Sequence, residues 1–79
     1  MERSDIILKL TPIAQRVFEK KDLVLSEEMS SETLDTWTSL SFMQLLTSIE
    51  QEFGFRFKMM ELLSLRSIGD IIEAIAKHC

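Results

Sequence analysis

Cysteine occurs once in the 79 residues, as Cys79, so the chain can form neither an internal disulfide nor a cysteine zinc cluster. Stability must come from packing. No apolar run approaches the roughly 18 residues that a membrane span requires. The opening residues Met1, Glu2, Arg3, Ser4 and Asp5 lack the basic segment and apolar stretch of a secretory leader, which gives the expectation of a cytoplasmic protein. A chain this short buries only about 60% of the surface its unfolded form exposes, so a deep catalytic pocket is not expected. Hydrophobic residues make up 46% of the chain and charged ones 28%, too apolar for disorder and ordinary for one folded domain spanning residues 1–79.

Positive charge is missing from the middle of the chain. Residues 1–21 hold three acids and five bases, residues 22–52 seven acids and no base, and residues 53–79 three acids and four bases, giving the net charge of -4. Such a field disfavours nucleic acid and anionic membranes and steers the chain toward basic partners. Without a basic recognition helix, a nucleic-acid-binding role is not expected.

What is present is helical periodicity. Ile6, Leu10, Ile13, Ala14 and Val17 share one face of a first helix that Ser4 is placed to cap. Pro12 predicts a kink there, or a restart with Thr11 as the cap. Residues 19–38 show no period and read as a long loop pinned by Leu23, Leu25, Leu34 and Trp37. Phe42, Leu45, Leu46, Ile49 and Phe53 form the stripe of a second helix that Gly54 closes, with Phe55 positioned to fold back onto Ile49. Phe53, Phe55 and Phe57 alternate as in an extended stretch pressing its rings on the core. A short third helix is expected at Met59 to Leu65. A fourth opens at Ser67, with Asp70 completing a variant capping box and Ile68, Ile71, Ile72 and Ile75 as the buried stripe. The expected fold is all-α, a four-helix bundle with a long first loop and a short third helix.

Three runs, Asp35-Thr36-Trp37-Thr38-Ser39-Leu40, Ile49-Glu50-Gln51-Glu52-Phe53-Gly54-Phe55 and Ser67-Ile68-Gly69-Asp70-Ile71, together resemble the acyl and peptidyl carrier protein family, a resemblance that covers the whole chain. It implies a free-standing carrier, monomeric, with a 4′-phosphopantetheine arm from coenzyme A attached to Ser39. It also implies a phosphopantetheinyl transferase and acyl or aminoacyl ligases, synthases or transferases as partners. A serine on the first turn of a helix projects outward, and a phosphodiester there would sit beside free N–H groups and the positive end of the helix dipole. The family usually has aspartate before this serine, whereas Thr38 stands here; threonine also caps a helix, but the carboxylate offered to the transferase is lost. Asp35 keeps an acid nearby and Glu50 and Glu52 lie further along the helix, while Ser41, Gln44 and Gln51 are neutral where many members are acidic.

Other chemistry has little to stand on. His78 and Cys79 lack a third group to orient them, and Glu27, Glu28, Glu32 and Asp35 lack the glycine and donor spacing of a calcium loop. Trp37 reads as a ring packed under the loop. The serine is a substrate and the reactive thiol belongs to the arm, so the chain itself is not expected to be an enzyme. The alternative is a carrier-fold interaction module that has lost the arm, a reading that Thr38 favours.

Phe42, Leu46, Phe53, Ile72 and Ile75 would line the space between the second and fourth helices. Their bulk there predicts short or polar acyl or aminoacyl cargo held outside the bundle. Leu40 and Met43 lie off the buried stripe of the second helix. On the third helix Leu62 and Leu65 form the inward pair, leaving Met60, Leu63 and Met59 outward. Together with Glu50 these residues are the candidate partner contacts, an apolar docking surface where fatty acid carriers are frequently acidic.

Overall fold

The computed structural model describes residues 2–78, which form four helices: α1 Arg3–Val17, α2 Ser39–Phe53, α3 Met59–Ser64 and α4 Ile68–His78. Among these residues the sole β-type pairing is an isolated bridge between Ser30 and Ser67. The all-α expectation is met, with the long first loop and the short α3 where the periodicity places them.

In α1 the expected face is buried, Ile6, Leu10, Ile13 and Ala14 all turning inward. Its start differs from expectation. Glu2 occupies the N-cap position with no side-chain cap bond, and Ser4 already lies inside the helix. Nor does the chain restart at Thr11, because the helix runs through Pro12, and the Thr11 hydroxyl instead donates to the carbonyl of Ile7 at 2.7 Å. Proline removes the bond that would reach the carbonyl of Leu8, a residue on the exposed face where water can replace it. The helix ends with Phe18 as C-cap and Glu19 in the left-handed region at φ 57°. Lys20 N–H donates to the Gln15 carbonyl at 3.0 Å and Glu19 N–H to the Arg16 carbonyl at 3.4 Å, the paired bonds of a Schellman closure.

The α2 stripe buries Leu45, Leu46 and Ile49, and Gly54 closes the helix at φ 74° as expected. Both flanking rings pack against the core as partly buried side chains, Phe42 stacking on Trp37 with centroids 5.7 Å apart and Phe53 receiving Lys9 Nζ of α1 at 5.2 Å from its centroid. Of the alternating phenylalanines only Phe57 is buried, while Phe55 lies against Phe57 and stacks on His78 at 4.4 Å. Leu46, Ile49, Ile72 and Ile75 are 6%, 0%, 1% and 0% exposed and belong to the buried core.

Candidate functional site

The start of α2 is fixed by two hydroxyl side chains. Thr38 is the N-cap: its Oγ1 accepts from Ser41 N–H at 3.2 Å, and Ser41 Oγ accepts from Thr38 N–H at 2.8 Å, a reciprocal capping box. The Ser41 hydroxyl donates onward to the Thr36 carbonyl at 2.7 Å, which anchors the end of the first loop. Threonine in place of aspartate therefore leaves the cap intact. Ser41 is neutral because it is a buried structural partner.

Ser39 is the first residue of α2 and is exposed. Its hydroxyl engages none of the described residues in a hydrogen bond, and the amides of Ser39 and Leu40 find no acceptor among them. A helix start with free N–H groups and an uncommitted hydroxyl suits an anionic ester at this oxygen.

Beside Ser39 lies an open groove of about 760 Å³. Glu28, Ser30, Ser31 and Glu32 of the first loop form one wall, Trp37 to Ser39 and Phe42 another, and Leu65 to Ser67 the third. No local pattern announces it, since its walls lie far apart in the chain. What joins them is a set of backbone bonds between the first loop and the start of α4. Ile68 N–H donates to the Met29 carbonyl at 2.9 Å and Gly69 N–H to the Glu27 carbonyl at 3.0 Å. The approach at Gly69 is close enough that a Cβ there would meet the Glu27 carbonyl oxygen at 3.1 Å. Ser67 caps α4 through Asp70 N–H at 3.3 Å, but Asp70 reaches one residue beyond the expected box, its Oδ2 accepting from Arg66 N–H at 3.1 Å.

Trp37 is buried between Phe18 at 5.4 Å and Phe42 at 5.7 Å, as a packed ring under the loop, and it also borders the groove. Phe18, fully buried beyond the last turn of α1, was missed because it falls off the helical stripe.

The remaining candidates fall into two groups. Leu40, Met43, Met59, Met60 and Leu63 are all between 63% and 79% exposed, while Leu62 is half-buried and Leu65 buried. Glu50 stands eleven residues after Ser39 on α2, about 17 Å along the axis at 1.5 Å per residue. One of its carboxylate oxygens accepts from Phe57 N–H at 2.8 Å, tying the segment after α2 back to the helix.

The short α3 is held by its own acid. Glu61 Oε1 accepts from Lys58 N–H at 2.7 Å, and both carboxylate oxygens meet His78 Nε2, at 2.9 and 3.0 Å. The Lys58 amide first and the His78 ring second hold the Glu61 carboxyl below its usual range. His78 thus has a structural partner, whereas Cys79 lies outside the described residues. Among those residues no group of three or more His, Cys, Asp or Glu side chains is arranged to hold a metal ion, and no helix is long and apolar enough to cross a membrane.

Comparison with known proteins agrees with this geometry. The family described as phosphopantetheine attachment site matches residues 37–75, the segment from Trp37 through most of α4. The fold matches that of a holo acyl carrier protein from Geobacter metallireducens with a TM-score of 0.83 and 37% identity, covering 90% of this chain and 82% of that one. It also matches a putative acyl carrier protein from Mycobacterium tuberculosis with a TM-score of 0.80, covering 90% of this chain and 95% of that one; at 20% identity this likeness speaks for the fold alone. No curated protein sequence matches the chain significantly. The chain belongs to the acyl carrier protein family and functions as a carrier of acyl groups on a covalently attached 4′-phosphopantetheine arm.

Proposed function

We propose that Ser39 is the residue that bears the arm. The observation that carries this reading is the position of the Ser39 hydroxyl: exposed, unbonded and on the first turn of a helix whose leading amides are free. The arm supplies the thiol on which acyl groups are held as thioesters. This chain supplies the oxygen. In the attachment, the bond from Ser39 Oγ to phosphorus forms as the phosphoanhydride of coenzyme A breaks. The nucleotide leaves and the hydroxyl proton passes to a base of the transferase. The free amides of Ser39 and Leu40 then face the new negative charge. The chemistry of acyl transfer belongs to the partner enzymes, and the chain acts as their substrate in a cytoplasmic setting.

The surface offered to those partners is apolar. Leu40 and Met43 on α2, with Met60 and Leu63 on α3, are exposed large side chains on the two elements nearest the arm in sequence. Four solvated side chains of this kind disfavour a purely ionic docking mode, and methionine adapts its shape to different partners. Glu50 forms the far edge of this surface, with its position fixed by Phe57 N–H. Partners of this description are a phosphopantetheinyl transferase and an acyl or aminoacyl ligase, synthase or transferase.

Short or polar cargo carried outside the bundle is the reading that the burial of Leu46, Ile49, Ile72 and Ile75 supports, since a long acyl chain would have to part these side chains from their neighbours. Intact mass of the chain purified from its own host tests the proposal. A phosphopantetheinyl adduct that maps to Ser39 is expected. A wholly unmodified chain would favour the interaction-module alternative.

A further inference from the structure

The groove beside Ser39 is lined by one cationic side chain. Eight of its residues come from the 22–52 segment, which holds seven acids and no base, and two of those eight are Glu28 and Glu32. A phosphodiester on Ser39 would add negative charge to a field that is already negative. Arg66 is the base that the fold brings there. It arrives from the connection between α3 and α4, whose backbone is fixed at the groove by the Arg66 amide on Asp70 Oδ2 at 3.1 Å and by the bonds from Ile68 to Met29 and from Gly69 to Glu27. Asp70 takes the Arg66 backbone and leaves the guanidinium free: among the described residues that group makes no hydrogen bond or ion pair. It is also exposed, so it can move toward a charge without breaking an existing contact.

Resting on the reading of Ser39 as the attachment site, we propose that Arg66 is a positioning residue for the arm. Its guanidinium pairs with the Ser39 phosphodiester and lays the adjoining part of the arm along the groove, against Trp37 and Phe42. The planar fork of an arginine matches two phosphate oxygens at once, which a lysine ammonium cannot do. The apolar rings of Trp37 and Phe42 and the hydroxyls of Ser30, Ser31 and Ser67 give the groove surfaces for both the methyl groups and the amides of the pantetheine portion. An arm held this way keeps the thioester close to the carrier between encounters, and raised salt or a partner's own cations release it.

Trp37 is the sole tryptophan of the chain and borders the groove, so its emission reports on occupancy. The test compares apo and holo forms of the wild type, Arg66→Lys and Arg66→Ala at low and high salt, following Trp37 emission and the Arg66 Nε–H resonance, with intact mass confirming the arm in each. In the wild type, both signals are expected to shift on conversion to the holo form at low salt, and the shifts to shrink at high salt. Arg66→Ala should still take the arm on Ser39 but lose the emission change, and Arg66→Lys should retain part of it. Holo wild type with both signals unchanged from the apo form overturns the role of Arg66 while leaving Ser39 as the site. A chain that takes no arm on Ser39 overturns both readings.

Discussion

Thr38 and Ser41 cap each other, each hydroxyl accepting the other's backbone N–H, and Ser41 alone reaches back to the Thr36 carbonyl. The pair sets where α2 begins and so where Ser39 points. Ser41→Ala removes the acceptor for Thr38 N–H and the donor to Thr36 together, and should destabilise the fold by about 1–2 kcal/mol in chemical denaturation. Thr38→Asp keeps a good cap and restores the carboxylate that the family usually has at this position. It should leave stability nearly unchanged and speed modification by a broad-specificity transferase, measured as initial rate by mass spectrometry.

The contact of Gly69 with Glu27 joins the first loop to α4 and thereby closes one side of the groove. A methyl group at Gly69 meets the Glu27 carbonyl oxygen at 3.1 Å and its Cβ at 3.2 Å, so the loop must give way. Gly69→Ala should cost about 1–3 kcal/mol and raise hydrogen exchange at the Ile68 and Gly69 amides.

Glu61 makes the anchoring of α3 sensitive to acid. Its carboxyl is held low by Lys58 N–H and by His78, so its folded value lies below its unfolded one. Such a group stabilises the folded state fully above the unfolded value and loses that contribution as pH falls through the folded one. The amides of α3 should therefore exchange faster as pH falls below the ordinary glutamate range, after correction for intrinsic rates. Glu61→Gln should remove this acid-dependent step, although the amide still accepts from Lys58.

The exposed Met43 and Leu63 give the docking proposal its test. Met43→Glu and Leu63→Glu should keep the helical circular dichroism and melting temperature while weakening acyl transfer to or from the cognate partner, with little dependence on salt. Unfolded variants would mean that these side chains are buried in solution. Binding that collapses as salt rises would point to ionic recognition.

The helices and their inward stripes were legible because Leu45, Ile49, Ile71 and Ile75 repeat at helical spacing, and Gly54 marked its own left-handed closure. Ser4 misled, since a good capping residue near a helix start need not be the cap when α1 extends two residues earlier. Pro12 does not restart the helix at Thr11, because packing of Ile6, Leu10, Ile13 and Ala14 on one face outweighs a single lost backbone bond on the other. Ser39 stands out in the sequence only through the order of the surrounding motifs. The groove and Arg66 were not legible at all, as they depend on backbone bonds between Glu27 or Met29 and the start of α4, some forty residues apart, which no local pattern encodes.

Whether Ser39 carries the arm is read from intact mass. Wild type and Ser39→Ala are incubated with coenzyme A, magnesium and a broad-specificity phosphopantetheinyl transferase, and both are checked for unchanged helicity. The wild type should gain the mass of one phosphopantetheinyl group and Ser39→Ala should gain none. A mass gain on Ser39→Ala would contradict the account.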